Sequence, residues 1–225
     1  NGIDYRRLLE GLPGTPYQFL LDRGGQYHFP YMGPGAIELF GHAAEEIMAD
    51  ASKVFRLLPS DDAERVHRAI RLSAKTMSPY SQEHRVVKPT GEVVWVHAVS
   101  IPRESASGNI LWDGFSLDIT ERKTAESALR DSEEKFRLAF ETSPDAINLN
   151  RLSDGLYLEI NEGFTRIMGY TREDGAGKTS LELNIWEDPI DRERLVKALR
   201  ETGYVQNLEA RFRAKDGTIR YGLMS

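Results

Sequence analysis

The sequence predicts an α+β chain built from two copies of one fold, each a five-stranded antiparallel sheet with helices on one face, the second copy incomplete at its C-terminus. Three observations carry this: a collinear internal repeat, a globular composition, and an element order in which helices are grouped between the second and third strands. Tyr5-Arg6-Arg7-Leu8-Leu9-Glu10-Gly11-Leu12-Pro13 returns as Phe136-Arg137-Leu138-Ala139-Phe140-Glu141-Thr142-Ser143-Pro144, and Leu39-Phe40-Gly41-His42 returns as Ile167-Met168-Gly169-Tyr170. Asp62-Ala63-Glu64-Arg65-Val66 returns as Asp191-Arg192-Glu193-Arg194-Leu195, and Glu83-His84-Arg85 through Gly91 returns as Glu209-Ala210-Arg211 through Gly217. The offsets, in that order, are 131, 128, 129 and 126 residues. Loop insertions and deletions between two copies produce such a drift, whereas chance matches do not stay collinear; a repeat this long means two whole domains rather than a solenoid.

Each element has its own signal. Tyr5, Leu8, Leu9 and Leu12 sit at helical spacing ahead of Pro13-Gly14, which predicts an N-terminal helix over residues 1–14. Aromatic-rich runs over 16–21 and 26–32, separated by Asp22-Arg23-Gly24-Gly25, predict a hairpin. Residues 35–40, 44–48 and 61–75 read as helices, and 80–87, 93–101 and 110–117 as three further strands, completing a first domain over 15–119. Residues 120–140 hold no Gly or Pro, which predicts a connecting helix with Thr120 as N-cap, followed by a second domain over 141–225. Ala125, Leu129, Ser132, Phe136 and Phe140 fall on one stripe of that helix, either packing on their own domain or forming a parallel dimer seam through Leu129, Phe136 and Phe140.

The 225 residues carry a net charge of −6, are 40% hydrophobic and 28% charged, and include no cysteine. Each of two domains is large enough to bury a core without staples. The acidic balance argues against nucleic acid or an anionic membrane as partner. Zero cysteine excludes thiol catalysis, cysteinyl-flavin photochemistry, disulfides and thiolate zinc sites. The longest apolar run, around Val93-Val94-Trp95-Val96, is far below the roughly 20 residues of a membrane helix, and the opening residues do not read as a signal peptide.

Asp113-Gly114-Phe115-Ser116-Leu117-Asp118-Ile119-Thr120-Glu121-Arg122-Lys123 resembles the terminal strand and Asp-Ile-Thr link of the PAS sensor family. Glu83-His84-Arg85-Val86 with Gly91-Glu92-Val93-Val94-Trp95-Val96 resembles the strands before it, and the second copy carries Ile160-Asn161-Glu162-Gly163-Phe164, Met168-Gly169-Tyr170-Thr171-Arg172-Glu173 and Lys215-Asp216-Gly217-Thr218. The resemblance implies two PAS-like domains joined by a signalling helix, in the cytoplasm, as the sensory input region of a bacterial signal-transduction protein of the histidine kinase or cyclic-dinucleotide synthase type. It implies a homodimer, a small-molecule ligand or a relayed conformational change, and an output domain that this sequence does not contain. It also implies a relay at Asp118, Thr120 and Arg122, with Arg122 the nearest cation to Asp118. Ser225 aligns with Val99, so the second copy is expected to stop inside its fourth strand, short of its central fifth. The rival readings are a ligand-free dimerisation scaffold and a haem- or flavin-bound sensor.

No catalytic constellation emerges, so this region is not expected to be an enzyme, and no metal site is expected. Gly175-Ala176-Gly177-Lys178-Thr179 lacks the first glycine of a phosphate loop, since Arg172 stands there, and His42-Ala43-Ala44-Glu45 has no second ligand histidine. His67 occupies the helix that carries the proximal ligand in haem-binding family members, but its neighbours Glu64, Arg65, Arg68 and Arg71 read as an exposed surface. Haem and flavin are disfavoured and the sequence requires no cofactor. Alternation places His84 on the same face as Val86, and Trp112 on the same face as Ser116. The resemblance implies that these faces look inward, so that a first cavity is edged by Phe29, Phe55, His84, Trp112 and Ser116, holding either a ligand or side chains. In the second copy Asn148 and Arg220 are the ligand candidates, and Asn161 reads as a helix N-cap.

Overall fold

The structure, a computed structural model, describes residues 14–225, so the predicted helix over 1–14 lies, Gly14 apart, outside the described residues. Contacts divide the chain into one unit ending at Ala128 and another running from Leu129 to Ser225.

The first unit runs β1 (Thr15–Leu21), β2 (Tyr27–Met32), α1 (Ala36–Phe40), α2 (Ala44–Ala49), α3 (Ser52–Arg56), α4 (Ser60–Thr76), β3 (Tyr80–Val87), β4 (Val93–Glu104) and β5 (Ile110–Asp118). The strands form one antiparallel sheet in the order β2-β1-β5-β4-β3, which puts β5 at its centre. Asp22 closes the β1–β2 hairpin: its carbonyl accepts the Gly25 N–H at 3.0 Å, and its carboxylate accepts the Gln26 N–H at 2.8 Å. Along α4, Asp62, Val66, Ile70 and Ser73 recur at helical spacing and are buried. The core joins them to the inward residues of the strands, among them Tyr17, Phe19, Phe29, Val86, Val94, Val96 and Trp112.

Two departures from the sequence reading have local causes. Helix α3 is only five residues long, too short to show a period, and is seeded by Asp50, whose carboxylate accepts the Ser52 N–H at 3.0 Å. Strand β4 runs on to Glu104 through Pro102. It pairs with β3 only as far as Ser100, so Pro102 sits where β4 is an edge and no N–H is missed on that side.

Helix α5 (Thr120–Thr142) crosses the division between the units. The second unit follows with β6 (Asn148–Asn150), β7 (Tyr157–Ile160), α6 (Glu162–Met168), α7 (Arg172–Gly175), α8 (Pro189–Thr202), β8 (Leu208–Arg213) and β9 (Ile219–Met224). Its strands form two separate hairpins, β6-β7 and β8-β9, instead of the five-stranded sheet expected of each copy. Removing β5 from the first sheet would leave the same two pairs, β2-β1 and β4-β3, and no strand joins the hairpins of the second unit among the described residues. Equivalent details recur in both units. Gly41 ends α1 at φ +69 and faces Pro89; Gly169 ends α6 at φ +77 and faces Lys215, both in the turn after the third strand of their copy. The Val87 N–H donates to the Leu57 carbonyl at 2.8 Å, and the Arg213 N–H to the Ile185 carbonyl at 2.6 Å.

Candidate functional site

The inner face of the first sheet and helices α3 and α4 enclose a cavity of about 60 Å³. All five residues expected to edge it, Phe29, Phe55, His84, Trp112 and Ser116, line it. Tyr17 and Ser100 line it too. Both were legible, since Tyr17 is in phase with Phe19 on β1 and Ser100 continues the Val94, Val96, Ala98 series on β4. Phe19 packs 5.2 Å from Phe29, 6.0 Å from Phe55 and 5.4 Å from Trp112, ring centre to ring centre.

His84 is buried at 5% exposure, and its Nδ1 makes no hydrogen bond of normal geometry. Burial drives its pKa down to about 4; the Asp62 charge and a weak Gln82 backbone contact oppose the shift. Burial pushes the Tyr17 hydroxyl up to about 12 against a hydrogen bond with Ser100. The Trp112 indole N–H donates to Ser73 Oγ at 2.9 Å, and that hydroxyl donates to the Ser78 carbonyl at 2.6 Å. His67 is a correction: it is half-buried and stacked on Phe55 at 5.1 Å and on Tyr27 at 5.6 Å, outside the cavity lining. Neighbouring aromatic residues from β2 and α3 reach over the helix surface, which the charges flanking His67 in sequence did not reveal.

The junction of β5 with α5 is tied to the sheet. The Asp118 carboxylate accepts the Thr120 N–H at 2.8 Å, and the Ile119 carbonyl accepts the first helical N–H, from Lys123, at 2.9 Å. Thr120 is therefore not the N-cap; its hydroxyl accepts the Trp95 N–H from β4 at 2.9 Å, while the Ile119 N–H donates to the Trp95 carbonyl at 2.8 Å. Nor does Arg122 meet Asp118. It donates to Glu83 on β3 at 2.6 Å and to Glu126 at 2.7 Å, and Lys123 reaches Glu83 at 2.6 Å. Lys123 and Arg122 together hold the Glu83 carboxyl below the ordinary range. Trp95 carries two cations over its ring, Arg85 at 5.8 Å and Lys123 at 5.3 Å. Arg85 Nε donates to Asp62 at 2.7 Å, and Asp62 also accepts from Arg65 and the Arg85 backbone N–H. Burial alone would raise the Asp62 pKa, but these partners outweigh it and hold the carboxyl below its usual value.

The helix stripe divides. Leu129 and Phe136 are exposed, at 61% and 53%, whereas Phe140 is buried in the second unit. Asn161 caps α6 as expected, accepting the Phe164 N–H at 2.7 Å, and its Nδ2 donates to the Phe140 and Asp145 carbonyls at 2.8 and 2.9 Å. Asn148 is exposed and bonded to Asn150, while Arg220 lines a separate groove with Arg166 and Lys215. The two candidates thus lie on different hairpins. In the 175–179 stretch Thr179 bonds to Glu182 as a turn, and His42 lies 3.5 Å from Glu46. Among the described residues no group of His, Asp and Glu could hold a metal, and no helix is long and apolar enough to cross a membrane.

Residues 29–116 match the PAS_3 family, described as PAS fold, and residues 134–225 match the PAS family, also described as PAS fold. The chain is 28% identical over 138 residues to the sensor protein FixL of Bradyrhizobium diazoefficiens, a match covering 61% of this chain and 26% of that protein. The chain thus spans about a quarter of that relative's length. Among solved structures it resembles a sensory box histidine kinase/response regulator from Burkholderia thailandensis, with 21% identity over 60% of this chain and 98% of that one and a TM-score of 0.47. It also resembles the N-terminal domain of a diguanylate cyclase with PAS/PAC sensor from Marinobacter aquaeolei, with 18% identity over 49% and 98% and a TM-score of 0.41.

Proposed function

This chain belongs to the PAS family, with one PAS fold over residues 29–116 and a second over 134–225, and from that premise we propose that its first domain reports the state of its cavity through α5. The chain is a sensory input region; the reading adds a histidine kinase or cyclic-dinucleotide synthase as the output and the cytoplasm as the compartment. The observation that carries it is the arrangement of β3. His84 faces the cavity, and its neighbour Glu83 points the other way and holds Arg122 and Lys123 of α5. A displacement of β3 at His84 therefore moves the anchor of the helix's first turn, with no flexible loop between them.

Asp118→Ala removes the side chain that accepts the Thr120 N–H, at an expected cost of about 1 kcal/mol for a lost cap. It is expected to leave the first domain folded while uncoupling signal-dependent output of the full-length protein. Output assays and melting curves of the two proteins check this; normal regulation in a folded variant would remove Asp118 from the relay. The chain is further read as a homodimer through the exposed Leu129 and Phe136, so Leu129→Asp is expected to shift self-association towards monomer, because a charge would be desolvated in the seam. Sedimentation velocity across dilution reads the shift, and an unchanged profile excludes the seam.

The small volume of the cavity favours a second reading, in which the first domain is a ligand-free dimerisation module. A haem or flavin sensor would instead show colour on purification.

A further inference from the structure

We propose that the first cavity is a binding site for a small uncharged alcohol, held by a hydrogen bond between its hydroxyl and His84 Nδ1. This rests on the reading of that cavity as the sensing site, and it deepens it by naming the ligand's chemistry.

Three observations select that chemistry. The first is an unpartnered polar atom: His84 is nine-tenths buried, it lines the cavity, and its Nδ1 lacks a partner. A buried polar group left unsatisfied costs free energy, and a ligand that supplies the partner recovers it. A hydroxyl both donates and accepts, so it pairs with Nδ1 in either imidazole tautomer. The second is charge. The polar side chains facing the space are His84, Tyr17, Tyr80, Ser100 and Ser116, and at neutral pH none of these carries charge, since burial holds the imidazole deprotonated and both phenols protonated. Nearby Asp62 and Arg65 are already paired with each other. A carboxylate or ammonium would enter without a counter-ion and lose its hydration. The third is size. At about 10–15 Å³ for each water-sized group, a cavity of about 60 Å³ admits about four to six non-hydrogen atoms. Phe29, Phe55, Val66 and Ile70 give the rest of the wall an apolar surface that suits a short alkyl chain, and the Trp112 indole N–H is already bonded to Ser73.

The test uses the whole chain labelled with ¹⁵N at histidine, titrated at pH 7 with 1-propanol and followed at the His84 ring nitrogens. The expected result is a saturable shift of the Nδ1 resonance. 1-Chloropropane, of similar size but without the hydroxyl, should bind about tenfold more weakly, as the loss of one hydrogen bond implies. Propionate and propylammonium should give no saturable shift. These comparisons lie within the unmodified chain and do not depend on a variant folding; His84→Leu, where folded, should erase the preference for propanol over chloropropane. Equal binding of chloropropane, or saturable binding of either ion, overturns the alcohol assignment while leaving a ligand-sensing cavity in place. The absence of any saturable shift overturns the site itself. Binding is read without an output domain, so a failure of the relay through α5 cannot masquerade as a failure of the site.

Discussion

Trp112→Ala is expected to cost the first unit about 3–5 kcal/mol, the range for truncating a large buried aromatic side chain. Trp112 is 1% exposed and stands on β5, the central strand, where it meets Phe19 of β1 at 5.4 Å. Its removal would enlarge a cavity already present beside it, and the rigid sheet on both sides of β5 leaves little room for collapse. The lost hydrogen bond to Ser73 adds little, because Ser73 Oγ keeps its bond to the Ser78 carbonyl. Against a total of about 5–15 kcal/mol for a domain of this kind, the variant should unfold at a much lower urea concentration. Urea denaturation followed by far-UV circular dichroism measures the change; a loss below about 1 kcal/mol would mean that the aromatic cluster is not the mechanical centre of the unit.

The second large effect is a loss of stability in mild acid. The His84 pKa lies at about 4 in the folded chain against an ordinary 6.5, with burial as the main cause. Between those values the unfolded chain binds a proton at this site and the folded chain does not, so stability falls as pH drops from 6.5 towards 4. Below about 4 both forms are protonated and this contribution stops changing. The depression corresponds to about 3 kcal/mol across the window. His67, lowered by burial and by Arg71, adds in the same direction, whereas Asp62, held below the ordinary carboxylate value, loses its contribution only at lower pH. Comparing unfolding free energies of the parent and His84→Leu at pH 7 and pH 4.5 isolates the site. The parent should lose about 2 kcal/mol more than the variant over that interval, and parallel losses would show that His84 protonates freely in the folded state.

Most of the first domain was legible because its signals are local and periodic. Alternation put His84 in phase with Val86 and Trp112 in phase with Ser116, and the family resemblance chose the inner face; the structure has all four, with Phe29, facing the core or the cavity. Asn161 was readable as a cap because a cap needs only its own side chain and the N–H groups that follow. Helix α3 escaped, because five residues carry no period.

Partner choice was another matter. Arg122 stands four residues after Asp118, yet it bonds Glu83, 39 residues away in sequence; Thr120 gives its hydroxyl to the Trp95 N–H rather than to its own helix. His67, amid charged neighbours in sequence, is stacked on rings from β2 and α3, and Phe140 leaves the exposed stripe of Leu129 and Phe136 to become buried. The sequence by itself determined the repeat, the order of the longer elements and which residues of each strand share a face, since the last two follow from backbone periods of two and 3.6 residues. Only the tertiary structure decided which charged and polar groups meet across β3, β4 and α5 and how much cavity the rings of Phe19 and Trp112 leave open. Those outcomes depend on the distances between separate elements, and no spacing along the chain encodes them.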